Sequence, residues 1–255
     1  MERPIYLDYN ATTPVDPAVV EAMLPYLTDR YGNPHSTHRL GAVAAAAVAS
    51  AREQVASLIG ASAGEIVFTS CASESINLAV KGVAFARGRG HIITSAIEHP
   101  ATLQACRYLE QHFGFALTVI PADGRGLVDP DAVRRALRPD TILITLLHAQ
   151  NETGVIQPVD EVGRIAREAG VLFHVDAAQS CGKIPVDVRA IGCDLLTVAG
   201  HKLYAPKGVG ALYVRKGFRF GPGLTTGGGQ ERKMRAGTEN VPGIVGFGLA
   251  AEIAA

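Results

Sequence analysis

The segment Asp194-Leu195-Leu196-Thr197-Val198-Ala199-Gly200-His201-Lys202 decides the fold class of this chain. Its apolar run predicts a strand buried on both faces, and a histidine and a lysine follow directly at its end. A second segment, Phe173-His174-Val175-Asp176, has the same form and ends in a carboxylate. Charged side chains are rarely buried without a partner. The two segments therefore predict strands of one buried sheet, with charged groups at the edge where the strands end.

Strand-like and helix-like patterns alternate along the rest of the chain, and prolines and glycines lie near the predicted helix starts and ends. The predicted strands are 65–69, 91–95, 117–121, 141–147, 171–175, 195–198 and 210–214. The predicted helices are 43–59, 74–87, 101–113, 131–137 and 159–169, with Ser73 as the N-cap of the second. This alternation predicts an α/β fold, in which helices cover both faces of a mostly parallel sheet.

Both ends of the chain depart from this alternation. Residues 1–16 are polar and rich in turn formers, which predicts an N-terminal arm. Residues 17–240 form the predicted large domain. A last helix begins near Val241 and reaches Ala255 without a capping signal. We therefore expect residues 241–255 to lead into a small C-terminal domain that is missing from a truncated chain.

Composition excludes several classes of function. Lys plus Arg and Asp plus Glu number 24 each, so the net charge is zero and nothing favours a nucleic acid or a membrane surface as partner. No apolar stretch reaches about 18 residues, and Met1 leads directly into patterned sequence without a secretory signal. The four cysteines have neither CxxC nor metal-ligand spacing. They predict reduced thiols, no metal site and a cytoplasmic protein.

Polar candidates for a ligand site follow several predicted strands, because ligands of open parallel sheets bind where the strands end. The turn containing Ala72 and Ser73 joins a strand to a helix, and its amides can hold a phosphate. Taken alone, this turn is better explained as an ordinary helix cap. His99 can stack on a planar cofactor or move a proton, although a loop histidine is often structural.

The remaining candidates favour one cofactor. Asn151 can donate to a phenolic oxygen or a substrate carboxylate, or can simply be a turn residue. Asp176 suits a protonated pyridine nitrogen, or alternatively caps a helix, and Gln179 can reach an oxygen of the same ring. Lys202 can form a Schiff base and carry protons unless it is a surface lysine, and His201 can contact a phosphate. Together these groups are what pyridoxal 5′-phosphate requires.

These motifs resemble those of a known family, the class V aminotransferase-like group of fold-type I pyridoxal-phosphate enzymes. Within that group the chain is similar to the cysteine desulfurases of the NifS/IscS type. The matching stretches span nearly the whole chain: 6–14 (YLDYNATTP), 31–36 (YGNPHS), 68–75 (FTSCASES), 98–99 (EH), 151–154 (NETG), 176–179 (DAAQ), 200–202 (GHK) and 235–240 (RAGTEN).

The resemblance implies a role for each candidate. Lys202 is the lysine that binds the cofactor covalently, and His99 stacks on the ring and assists proton transfer. Asp176 pairs with the ring nitrogen, whereas Asn151 and Gln179 serve the ring oxygen. The phosphate is implied to lie among Ala72, Ser73, Ala199, Gly200 and His201, and Ala199 replaces the family's usual serine. Thr238 is implied to reach the phosphate of a neighbouring subunit, which makes the protein a homodimer.

The implied activity is removal of sulfur from L-cysteine, which leaves L-alanine and an enzyme persulfide. A sulfur-acceptor protein is the implied partner, in iron–sulfur cluster assembly or thio-modification. The persulfide cysteine of the family lies beyond position 255, and none of Cys71, Cys106, Cys181 and Cys193 matches it. Two alternatives remain open: another class V aminotransferase or lyase reaction, and a catalytically incompetent dimer subunit that binds the cofactor.

Overall fold

A computed structural model describes residues 5–218, 220 and 224–255, and the bounds below refer to this part of the chain. The helices are α1 (Pro17–Met23), α2 (Pro25–Thr28), α3 (Arg39–Leu58), α4 (Ala72–Arg87), α5 (Pro100–Phe113), α6 (Pro130–Ala136), α7 (Val159–Ala169), α8 (Val188–Ile191) and α9 (Val241–Ala254). The strands are β1 (Ile66–Thr69), β2 (His91–Ser95), β3 (Ala116–Ile120), β4 (Thr141–Leu147), β5 (Leu172–Asp176), β6 (Leu195–Ala199) and β7 (Gly210–Val214). Short 3₁₀ turns lie at Ala63–Glu65, Gly200–Lys202 and Gln230–Lys233.

The strands form a single sheet in the order β1-β7-β6-β5-β4-β2-β3. The neighbours from β6 through β3 pair in parallel, whereas β7 is antiparallel to both β6 and β1. The predicted mostly parallel sheet is therefore confirmed. Its four central parallel strands β6, β5, β4 and β2 end on the same edge, where the polar candidates follow.

Helices cover both faces of this sheet, as the sequence predicts. Successive residues of one strand enter different cores: Phe68 packs on the face of α3, α7 and α9, and Val67 on the face of α4 and α5. Helix α9 packs closely along α3, since a Cβ on Gly248 would lie 2.6 Å from the Cα of Ala51. None of the helices described here is long and apolar enough to cross a membrane.

The first turn of α4 differs from the prediction. The helix begins at Ala72 with Cys71 in the capping position, so the prediction of Ser73 as N-cap is wrong. Glu74 explains the earlier start, because its carboxylate folds back and accepts the amide of Ser70 at 2.6 Å. Helices α1, α2 and α8 were not predicted, and α3 begins four residues before its predicted start. The result at α4 is an N-terminus whose first amides have no side-chain cap.

A buried histidine joins the three central strands. His174 of β5 has no exposed surface. Its Nδ1 lies 2.8 Å from the hydroxyl of Thr145 on β4, and its Nε2 lies 3.0 Å from the hydroxyl of Thr197 on β6. Burial lowers the pKa of His174 to about 3, so the ring is neutral and each hydroxyl completes one of its two hydrogen bonds.

Replacing His174 by alanine is expected to lower the free energy of unfolding by about 2–4 kcal/mol, because it leaves a cavity and two buried hydroxyls without their partner. Urea denaturation measures this change. His112 lies exposed on α5 and provides the matched control. His112→Ala should change the free energy by no more than about 0.5 kcal/mol. If both variants change the free energy of unfolding by the same small amount, the hydrogen bonds of His174 to Thr145 and Thr197 contribute little to stability.

Candidate functional site

A cleft of about 510 Å³ opens at the carboxyl ends of β4, β5 and β6, beside the N-terminus of α4. It brings together most of the site residues predicted from the sequence: Ala72, Ser73, His99, Asn151, Asp176, Gln179, Ala199, His201 and Lys202. Gly200 lies in the turn between two of them but does not line the cleft. Thr238 lines a separate depression together with Thr69 and Ser70. The sheet topology thus gathers groups that are far apart in sequence.

Lys202 is held at the end of β6 by the 3₁₀ turn Gly200–Lys202. Its Nζ donates a hydrogen bond to the backbone carbonyl of Asn10. Burial lowers the pKa of Lys202, and the carboxylates of Asp8, Asp176 and Glu152 only partly oppose this effect. A lowered pKa increases the fraction of neutral amine, which is the form that attacks an aldehyde.

Asp176 is the last residue of β5 and has an exposed fraction of 6%. Its Oδ1 accepts the amide of Ala178 at 3.0 Å, and no salt bridge to it occurs in the described chain. Burial raises the pKa of Asp176, although the Ala178 amide, His99 and Lys202 pull it down. A cationic group of a ligand in the cleft would therefore complete the missing ion pair.

The N-terminus of α4 provides the anion-binding end of the cleft. Cys71, Ala72 and Ser73 line the cleft at this point, and the side chain of Cys71 makes no capping hydrogen bond. The start of β7 passes very close behind them: a Cβ on Gly210 would lie 3.0 Å from the carbonyl carbon of Cys71. Open amides at the positive end of a helix bind phosphate groups, and this part of the cleft fits one.

His201 borders the same end. Its Nδ1 lies 3.1 Å from the hydroxyl of Thr12. Burial lowers the pKa of His201, and the nearby charges of Lys202, Lys207 and Lys183 lower it further. The ring is therefore neutral near pH 7, and its second nitrogen can donate to an anion while Nδ1 accepts from the threonine.

His99 precedes α5 and caps it. Its Nδ1 accepts the amide of Ala101 at 3.1 Å, so in the neutral ring the proton is on Nε2. The ring is exposed at the wall of the cleft. The imidazole of His99 thus has the structural role of a helix cap and also lines the cleft, so the structure leaves both alternatives open.

Asn151 and Gln179 complete the cleft wall. The Nδ2 of Asn151 donates to Glu152 at 2.5 Å. The Nε2 of Gln179 donates to the carbonyl of Asn10 at 2.9 Å, and its Oε1 accepts from Lys183 at 2.7 Å. The side-chain amides of Asn151 and Gln179 thus line the cleft, and each is held by a hydrogen bond to a neighbouring residue.

The N-terminal arm lines the cleft, and analysis of the sequence assigned no site residue to it. Asp8, Asn10 and Ala11 face the ligand space. Thr13 fixes the arm: its amide and hydroxyl both donate to the carbonyl of His201, at 3.1 and 2.9 Å. The arm is polar and mostly exposed, and no local signal in its sequence indicates a contact about 190 residues away. Its hydrogen bonds to Lys202 and Gln179 make it part of the site.

Three of the four cysteines do not present an activated thiol. Cys106, Cys181 and Cys193 are buried. Burial raises the pKa of all three thiols, and that of Cys181 reaches about 12. Cys71 is half-buried at the cleft. Within the described ranges, no group of three or more His, Cys, Asp or Glu side chains is placed to hold a metal ion.

Comparisons with known proteins agree with this geometry. The profile described as Aminotransferase class-V matches residues 5–255. A protein named cysteine desulfurase IscS from Anaeromyxobacter dehalogenans is 57% identical over all of this chain, and one of the same name from Dictyoglomus turgidum is 52% identical. The chain spans 64% of the length of each of these relatives.

Solved structures give the same result. The structure of SspA in complex with cysteine superposes with a TM-score of 0.94 at 46% identity, covering 97% of this chain and 72% of that one. A structure described as a NifS-like protein also has a TM-score of 0.94, at 45% identity, and covers 98% of this chain and 69% of its own. Fold, cleft and sequence thus agree, and the chain belongs to the class-V aminotransferase family, in the group that includes the IscS and NifS-like cysteine desulfurases.

Proposed function

We propose that this chain forms the cofactor-binding part of a cysteine desulfurase and that its cofactor is pyridoxal 5′-phosphate. One observation carries the proposal: an amine of lowered pKa, Lys202, and a buried carboxylate that forms no salt bridge within the described chain, Asp176, line the same cleft as an uncapped helix N-terminus. These three features suit an aldehyde, a pyridine nitrogen and a phosphate, which the cofactor carries together.

The residues present fit this cofactor. Asp176 would hold the proton of the ring nitrogen, and the protonated ring would give this carboxylate a salt-bridge partner. The amides of Ala72 and Ser73 and the ring of His201 would hold the phosphate, Gln179 and Asn151 the oxygen side of the ring, and His99 one ring face. When bound, the cofactor supplies an aldehyde for Lys202 and an electron-withdrawing ring that makes bonds at the α-carbon of an amino acid easier to break.

The side chains of this chain would provide binding, orientation and proton transfer. Lys202, at its lowered pKa, can accept and return a proton at the substrate's α-carbon. His99 lines the cleft and its Nδ1 is fixed by the amide of Ala101, so its other ring nitrogen can transfer a proton without the ring losing its orientation. Asn10 holds Lys202 and Gln179 through its carbonyl and thereby keeps the amine at the cleft.

The proposed substrate is L-cysteine. Relatives at 52–57% identity are named cysteine desulfurases, and the solved structure of SspA holds cysteine. We propose none of the four cysteines as the sulfur carrier, because three are buried thiols of raised pKa and Cys71 lies in the anion-binding turn. A sulfur-acceptor protein and a role in iron–sulfur assembly or thio-modification, in the cytoplasm, belong to this proposal.

We also propose a homodimer with shared sites. Thr238 is exposed and lies outside the cleft of its own chain, beside Ser70, Arg235 and Glu239. An exposed hydroxyl at that position is free to approach the phosphate of a second copy. The division into an arm (1–16), a large domain (17–240) and a helix leading to a small domain (241–255) stays a prediction.

Trapping the cofactor tests the central proposal. Protein saturated with pyridoxal 5′-phosphate should be yellow, and borohydride reduction followed by peptide mass spectrometry should place the cofactor on Lys202. Unreduced protein with L-cysteine and an added dithiol such as dithiothreitol, which takes up the sulfur and is oxidised to its disulfide, should then form alanine and sulfide in equal amounts. An unmodified Lys202 peptide would contradict the proposal. Labelling without any cysteine-dependent product would favour the incompetent subunit, and products from other amino acids would favour another class V reaction.

A further inference from the structure

The side chain of Glu98 lies at the point where strands β2 and β4 separate. Their ladder ends with the pair Ile93 and Ile144. Beyond it, the amide of Leu147 at the end of β4 finds no backbone partner on β2 and donates instead to Glu98 Oε1 at 3.0 Å. The hydroxyl of Ser95 donates to the same oxygen at 2.6 Å. One carboxyl oxygen thus replaces the missing ladder bond.

This connection joins two walls of the cleft. Glu98 directly precedes His99, and Leu147 begins the loop that reaches Asn151; all three of His99, Leu147 and Asn151 line the cleft. Because Glu98 is bonded to Leu147, the loop carrying His99 cannot shift without disturbing the end of β4. Groups that position a reacting ligand need such fixed supports, since displacements of about 1 Å are costly.

The surroundings of Glu98 are unsuited to a negative charge. The residue is 6% exposed. Within the described chain, Oε2 has no hydrogen-bond partner and no cation forms a salt bridge to the carboxyl. The titratable groups around it are the carboxyl of Asp176 on β5, the thiol of Cys106 on α5 and the adjacent His99. Burial, reinforced by Asp176, raises the pKa of Glu98 to about 8.

We propose that Glu98 is a positioning residue of the proposed cofactor site and that it acts as a neutral, protonated acid. A neutral acid accepts from Leu147 and Ser95 without placing a second anion near Asp176. Asp176 can then remain the one ionised carboxylate of this buried region when a cationic ring nitrogen pairs with it. The role in positioning rests on the proposed function, whereas the protonation does not.

The sign of the pH effect follows from the raised pKa. Glutamate in the unfolded chain titrates near 4.5, and Glu98 in the folded chain near 8. Its contribution to stability is therefore complete below about pH 4.5 and is lost as the pH rises to about 8. Glu98→Gln keeps the acceptor oxygen and cannot ionise. Relative to wild type, its folding equilibrium constant should increase roughly 10- to 1000-fold between pH 5 and pH 9.

The first arm of the test uses protein without cofactor. Urea unfolding of wild type, Glu98→Gln and Glu110→Gln is measured from pH 5 to pH 9. Glu110 is the matched control because it lies exposed on α5 and should leave the pH profile unchanged. Equal pH profiles for wild type and Glu98→Gln would overturn the proposed protonation.

The second arm tests positioning. Amide hydrogen exchange at Leu147 should remain slow in Glu98→Gln and become at least about tenfold faster in Glu98→Ala, which removes the acceptor. In protein loaded with pyridoxal 5′-phosphate, the visible circular dichroism should be retained in Glu98→Gln and reduced in Glu98→Ala. If the alanine variant does not fold, Glu98→Asp, whose carboxyl is one methylene too short, takes its place.

The outcomes separate this inference from the proposed function. Loss of the circular dichroism signal in Glu98→Gln as complete as in Glu98→Ala would show that the acid group itself is needed, and would overturn the neutral positioning role. Unchanged exchange at Leu147 in Glu98→Ala would overturn the connection to β4. If wild-type protein binds no cofactor, the proposed function fails, whereas the unfolding and exchange measurements still decide the state and the contact of Glu98.

Discussion

Replacement of Lys202 by alanine is expected to abolish covalent attachment of pyridoxal 5′-phosphate and to lower any cysteine-dependent formation of alanine by at least about 1000-fold. The reason is that the variant removes both the amine that binds the aldehyde and the group that carries the proton. Borohydride reduction and mass spectrometry measure the attachment, and amino-acid analysis measures the product. A reduced adduct elsewhere in the Lys202→Ala protein would contradict the assignment.

Two variants separate covalent chemistry from charge. Lys202→Arg keeps a cation beside Asp176 but has no amine that binds an aldehyde, so it should also lose the label. Lys183→Ala removes a second lysine near the cleft, whose pKa desolvation and the charge of Lys202 also lower. It should retain the label, because Lys183 bonds to Gln179 at the rim. The pH at which wild-type labelling reaches half its maximal rate should lie below that of an exposed lysine, in line with the lowered pKa of Lys202.

Much of the site follows from the sequence because the strand ends of a parallel sheet meet at one edge. Asp176 and Lys202 each follow an apolar run, and the structure places both at the cleft. The strand bounds were correct within one residue, since continuous apolar runs between glycines and prolines are a strong local signal. The apolar pattern of a strand does not indicate in which direction the strand runs in the sheet. The antiparallel pairing of β7 with β6 and β1 is therefore seen only in the structure.

The features that sequence reasoning missed depend on contacts between distant segments. Asn10 enters the site through its backbone carbonyl, which any residue type would provide. Cys71 takes the capping position of α4 because Glu74 folds back on Ser70, which outweighs the general preference for serine at a cap. Glu231 lies in a polar segment typical of a surface loop, yet its exposed fraction is 6%. Glu231 can be buried because Arg52, about 180 residues earlier in the chain, pairs with it. The composition around Glu231 gives no sign of this distant partner.

Because Glu231 pairs with Arg52, its replacement is expected to have the largest effect on the free energy of unfolding. Arg52 of α3 donates to both of its carboxylate oxygens, Nη1 to Oε2 at 2.7 Å and Nη2 to Oε1 at 2.6 Å. The amide of Phe68 on β1 donates to Oε2 at 3.0 Å. Glu231→Ala removes the acceptor of a strand amide and the counter-ion of a nearly buried guanidinium, to which, within the described chain, only the carbonyl of Ile66 remains bonded at 2.8 Å, so the free energy of unfolding should fall by about 3–5 kcal/mol. Urea denaturation at neutral pH measures it.

Two further variants show whether the cost comes from the unpaired charge. Glu168 forms exposed ion pairs with Arg134 and Arg164, and Glu168→Ala should change the free energy by no more than about 1 kcal/mol. The double variant Arg52→Met/Glu231→Leu removes both charges and fills the space. It should recover most of the loss of Glu231→Ala, because an apolar pair of similar volume avoids the desolvation of two ions. If the double variant is as unstable as Glu231→Ala, the unpaired charge is not the cause. The instability would then come from the lost hydrogen bond of the Phe68 amide and from the segment that contains both Glu231 and Thr238.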